Sequence, residues 1–269
     1  MKKEFAIAAV VSTGLAIAIL SLPDVMEPIA HEIIHALGYI WPVAVLLIGV
    51  IHGLKPDEHT WPITISYAMM QESLKKAMLS TAVFAGALTL VWAALSALTS
   101  QVLPILSEGV YDPLVSVIVG LTMLGVALFL KAKERKKGRG EEGVQARADY
   151  RAIWIHGVAA AFGGDFFVVL FITTIIHPII PQNLGFAVGL LFGLGSWLAQ
   201  SAVVALAYKG LVNVAKDLSI LARAGVLSLA ILGAFIIGIG VTNAVMGDAS
   251  PFAHHAEMHG HEAHMHQGE

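Results

Sequence analysis

Apolar runs long enough to cross a bilayer recur along the whole of this chain, and they constrain the fold more than any single motif does. A bilayer's hydrocarbon core is about 30 Å thick, so a spanning helix rising 1.5 Å per residue needs roughly 20 mainly apolar residues. Residues 5–22, 33–54, 77–98, 113–130, 152–177, 184–208 and 220–246 are seven such stretches in the 269-residue sequence. The balance of residue types agrees: 57% are hydrophobic and only 13% charged, where soluble domains carry about 25% charged residues. The expected fold is therefore all-α, a polytopic helical membrane protein of about seven transmembrane helices in contact with lipid. The chain has no cysteine, which excludes disulfides, thiolate metal sites and cysteine nucleophiles.

Charge distribution predicts a topology. Lysine and arginine concentrate in cytoplasmic loops, and all 16 fall on one side of the seven-span arrangement. Lys2 and Lys3 precede the first run, and Lys55, Lys75 and Lys76 follow the second. Residues 131–151 hold eight more, and Lys209, Lys216 and Arg223 follow the sixth run. The loops 23–32, 99–112 and 178–183 hold none. The expected location is the cell membrane, multi-pass, with a cytoplasmic N-terminus and the C-terminal tail outside. Ser21, Leu22 and Pro23 make a poor cleavage site, so the first run reads as a retained helix rather than a leader.

Residues 131–151 are polar and rich in both signs of charge, as a solvated cytoplasmic loop should be. They divide the chain into a first helix with its outer segment (1–32), a three-helix set (33–130), a second set (152–247) and a tail (248–269). With an odd number of helices in each set, the second starts from the opposite side, the arrangement of inverted repeats. Both sets carry Ile-His-Gly, at 51–53 and 155–157. In the seven-span topology both copies fall near the cytoplasmic face, not at mirror-related depths. Gly185, Gly189 and Gly193 recur at four-residue spacing and predict a close helix-packing seam.

Residues 51–62, IHGLKPDEHTWP, end the second run. Pro56 cannot continue the helix and is expected to leave the carbonyl of His52 without its intrahelical donor. Broken helices at membrane depth are tolerated where protein or a water-filled cavity receives the freed backbone groups, and in transporters they mark ion or substrate sites. His52, Asp57, Glu58 and His59 are imidazole and carboxylate groups suited to a divalent transition metal. After them, residues 63–70 form an apolar piece too short to span, expected as a half-helix with Thr60 or Asp57 as N-cap.

HGLKPDEH resembles the second-helix signature of the nickel/cobalt transporter family, and its Pro56 resembles the proline of that family's efflux branch. The resemblance covers about a dozen residues and implies metal-site roles for His52, Asp57 and His59. Glu58 is an insertion relative to the family pattern, and the family's later LGxDTATE signature has no counterpart here.

The fifth run supplies Asp165, after Gly163 and Gly164. A carboxylate near the bilayer centre costs on the order of 2.5–3.5 kcal/mol on insertion scales, so it needs a partner such as a metal, a proton or His156. Nine residues of straight helix would put His156 and Asp165 on opposite faces; a distortion at the glycines is required to join them. Gln200, Thr242 and Asn243 could line the same cavity, although isolated polar residues in such helices more often serve interhelical hydrogen bonds.

Two peripheral features remain. His31-Glu32-Ile33-Ile34-His35 places two imidazoles one helical turn apart with a glutamate between, a zinc-protease pattern. It resembles the intramembrane site-2 protease family, but the Asp-Gly that family uses for its third ligand is absent, since Phe166 follows Asp165. Peripheral metal capture and no metal role at all are the other readings of the pair. The tail holds His254, His255, His259, His261, His264 and His266 without apolar periodicity, the composition of a metal collector.

The function expected from the sequence is alternating-access transport of a divalent transition-metal ion, nickel or cobalt first and zinc next. The candidate ligands are His52, Asp57, Glu58, His59, His156 and Asp165. The ion is substrate, and no prosthetic group is implied. An intramembrane metalloprotease and a non-transporting accessory protein for metalloenzyme assembly are the alternatives. No nucleotide-binding motif or nucleic-acid partner is indicated, so energy comes from a gradient or a partner subunit.

Overall fold

The computed structural model describes residues 3–21, 26–57, 59–100, 117, 121, 123–125, 127–128, 131, 149–162 and 165–246. Among them the regular structure is helical, with no strand. The nine helices with defined bounds are α1 (Lys3–Ser21), α2 (Met26–Leu37), α3 (Trp41–Leu54), α4 (Trp61–Met69), α5 (Leu74–Thr99), α6 (Tyr150–Ala160), α7 (Asp165–Ile176), α8 (Phe186–Ala215) and α9 (Leu218–Met246). Five segments are long and apolar enough to cross a membrane: α1, the path Pro28–Leu54 through α2 and α3, α5, α8 and α9. The protein is an all-α, multi-pass membrane protein. Val10, Leu90, Leu206 and Val245, each 63–79% exposed, point away from the bundle as lipid-facing side chains do.

Two expected spans are not single helices. The run 33–54 is bent by a 3-10 turn, Gly38–Ile40, between α2 and α3. The run 152–177 is split into α6 and α7, of 11 and 12 residues, neither long enough to span alone. Of 113–130, the described positions are helical and the remainder, like 132–148 and the tail from 247 on, lies outside the described residues.

At the centre, α5 and α8 lie antiparallel along the predicted glycine seam. Gly185 meets Ser100, Gly189 meets the backbone of Trp92, and Gly193 meets Thr89, one helix rising in number as the other falls. Side chains at these glycines would overlap the facing helix, so small residues are what allow the approach. On the flanks the directions differ. Helix α3 runs parallel to α8, with Gly49 on Phe192, Gly53 on Ser196 and Gly195 on Leu46. The α6–α7 path runs parallel to α5: Gly157 sits on Phe84, and further along His177 Nε2 lies 3.1 Å from the carbonyl oxygen of Ser100.

Helix α4 is enclosed. Every residue from Pro62 to Met69 is buried. Gly225 of α9 lies against the carbonyl of Ser66, and the Tyr208 hydroxyl of α8 donates to the Gln71 carbonyl at 3.0 Å, closing the backbone just past the end of α4. Helix α1 packs along α9, and Lys3 Nζ donates to the carbonyl of Ala215 at 2.8 Å.

Candidate functional site: two broken helices

The first break follows His52. Helix α3 ends at Leu54, where Lys55 turns to extended backbone and donates its N–H to the carbonyls of Ile51 at 3.2 Å and His52 at 3.0 Å. The expected orphan carbonyl at His52 is thus corrected: the tightened last turn supplies a donor before Pro56 is reached. The next carbonyl, of Gly53, accepts the indole N–H of Trp61 at 3.3 Å.

Asp57 organises the turn into α4. Its Oδ1 accepts the backbone N–H groups of His59 at 2.8 Å and Thr60 at 2.6 Å, and its Oδ2 accepts the Thr60 hydroxyl. Thr60 occupies the N-cap position, yet its hydroxyl bonds Asp57 and makes no cap bond of its own. Neither expected cap bonds a first-turn amide of α4; Asp57 instead closes the turn that leads into it. A carboxylate also offsets the positive end of the α4 dipole. Asp57→Ala is expected to cost about 1–3 kcal/mol, the usual penalty for leaving a buried donor unsatisfied. The check is a lower thermal midpoint, with Asp57→Asn, which keeps an acceptor, falling less.

The second break follows His156. Helix α6 ends at Ala160, Ala161 N–H bonds the carbonyl of Gly157 at 3.0 Å, and the carbonyl of Ala161 accepts the indole N–H of Trp92 at 3.0 Å. Each broken end is therefore closed by a tryptophan N–H from another helix. The two breaks also sit at matching levels. Gly53 packs on Ser196, the eleventh residue of α8, and Gly157 packs on Phe84, the eleventh of α5. The expectation that both Ile-His-Gly copies crowd one end of the bundle is corrected. Each lies ten or more residues from either end of the helix it packs on.

Both imidazoles are buried, His52 2% and His156 1% exposed. The His52 ring lies 5.0 Å from the ring of Phe192 and 6.2 Å from that of Trp92, centroid to centroid. His156 Nδ1 is 2.7 Å from the Tyr67 hydroxyl, which ties α6 to α4 across the bundle. His59 and Asp57 are buried beside the turn.

Among the described residues there is no group of three His, Asp or Glu side chains placed to share one ion. His52, Asp57, His59 and His156 alone do not make such a set. Glu58 lies outside the described residues; Asp165 opens α7, and its side chain is likewise outside them. Asp57, with three hydrogen bonds received, acts first as the anchor of the turn.

No protein-family model, curated protein or solved structure matches this chain. The resemblance to nickel/cobalt transporters rests on HGLKPDEH alone.

Helix α2 turns Ala30 and Ile34 into the bundle and leaves His31, Glu32 and His35 exposed. These imidazoles are on the surface of the bundle. Thr242 bonds back to Gly238 of its own helix at 2.8 Å, so its hydroxyl is used locally. The residues that sequence reasoning missed are aromatic: Tyr67, Trp92 and Phe192. An aromatic in an apolar run looks like core, and only the fold shows which imidazole or carbonyl it meets.

Proposed function

We propose that this protein is a transporter of divalent transition-metal ions, with the two helix breaks forming its pathway and nickel or cobalt as first substrates. The observation that carries the reading is the pair of breaks, each beside a buried His-Gly, lodged at equivalent levels on the antiparallel α5 and α8. The carboxyl ends of α3 and α6 both stop inside the bundle, and helix carboxyl ends favour cations. Neutral imidazole suits nickel, cobalt and zinc; the choice of nickel or cobalt draws on HGLKPDEH.

The packing directions support two inverted repeats, α3–α4–α5 and α6–α7–α8, each a broken helix followed by a long one. Helix α3 is antiparallel to α5, and α6 runs parallel to α5, so the broken helices oppose each other. With residues 113–130 as a further span, the seven-span topology places the N-terminus in the cytoplasm and the tail outside. In this reading His52, His59 and His156 are imidazole ligands, Glu58 and Asp165 are carboxylate ligands, and Asp57 holds His59 in place. Metal binding requires deprotonated ligands, which makes proton coupling available. His31, His35 and the tail histidines, His254, His255, His259, His261, His264 and His266, would collect metal outside before uptake.

Expression in a host lacking its own nickel system tests the reading. Increased cell nickel or cobalt supports uptake, faster loss reverses the direction, and unchanged content contradicts transport.

A further inference from the structure

Helix α8 carries a polar group at the first break that the ligand set above does not use. Phe192, Ser196 and Gln200 are spaced four apart and share one face of α8. The first meets the His52 ring and the second the backbone of Gly53. Because α3 runs parallel to α8 and ends at Leu54, one residue past Gly53, the next turn of α8 comes level with the chain after the helix has stopped. Gln200 is on that turn. It is 1% exposed, its Nε2 donates to Ser196 Oγ at 3.0 Å, and its Oε1 has no hydrogen-bond partner among the described residues. A buried amide oxygen left without a donor is destabilising, a cost that a ligand-binding role would offset.

We propose that Gln200 is a ligand of the first break, its Oε1 taking the divalent cation or a water that the cation carries. The assignment rests on the transport reading and deepens it. A neutral carbonyl oxygen adds a donor without adding charge, so the ion is held yet can leave. Ser196 fixes the amide by accepting from Nε2.

The test measures cobalt flux into vesicles containing the purified full chain, together with thermal midpoints. Gln200→Leu removes the orphaned oxygen while keeping an apolar bulk. It is expected to raise half-saturation for cobalt at least tenfold while leaving the thermal midpoint equal or higher, the trade-off expected of a functional polar group. Gln200→Glu keeps an oxygen and adds charge; it is expected to lower half-saturation and slow the maximal rate. Wild-type half-saturation in Gln200→Leu overturns the assignment, as does a loss of flux in both variants that parallels a loss of stability. Should Gln200→Leu not fold, unchanged half-saturation and rate in Gln200→Glu overturn it instead. A wild-type protein that moves no cobalt overturns the transport reading itself, and the assignment with it.

Discussion

Gly189→Ala is expected to destabilise the protein by about 3 kcal/mol or more, at or beyond the top of the usual range for overpacking a core. A methyl group at this position would overlap the carbonyl of Trp92 and come within 2.6 Å of the backbone nitrogen of Ala93. All of these are main-chain atoms of a helix, so no side-chain rotation relieves the contact. The seam between α5 and α8 would have to open, and with it the levels at which Gly53 and Gly157 dock. Gly238→Ala is the control: nothing lies within 4 Å of a methyl there, and alanine is the better helix former. Thermal unfolding of the two variants should separate them clearly, with Gly238→Ala at or above the wild-type midpoint. Equal midpoints for both would mean that the seam does not hold the bundle together.

His52→Phe should abolish nickel and cobalt accumulation in cells while the protein still folds. The ring of His52 already lies among aromatic rings, 5.0 Å from Phe192 and 6.2 Å from Trp92. Phenylalanine therefore replaces the packing and removes only the nitrogens. If the imidazole is a metal ligand, the loss should exceed the roughly 10–100-fold that follows removal of a mere outer-shell partner. If His52 only fills space, accumulation should survive, and the ligand assignment would be wrong. His52→Ala is the less informative variant because it adds a cavity to the chemical change.

The helical membrane class was legible in the sequence because hydropathy over some twenty residues is a strong signal. So was the break after His52, which Pro56 enforces, and the half-helix that follows it. The break after Ala160 was not. No proline marks it; the signal was Gly163-Gly164, and what closes the helix is the Trp92 indole, 69 residues away in the chain. The depth of the two Ile-His-Gly copies was misread for a related reason. Loop charges report which side a loop is on, whereas depth is set by packing, here by Gly53 on Ser196 and Gly157 on Phe84. The sequence offered Asp57 as a candidate ligand or a cap and not as the anchor of the turn, since three donors meeting one carboxylate is a property of the folded turn.

Conduction of a divalent transition metal through the paired breaks is read from the initial rate of cobalt entry into vesicles. Purified wild type and His52→Phe would be compared at equal protein content, with a metal-quenched dye inside. Rapid quenching is expected with wild type, and a rate indistinguishable from empty vesicles with His52→Phe. Equal rates for the two proteins, or no quenching with folded wild type for cobalt, nickel or zinc, would contradict it.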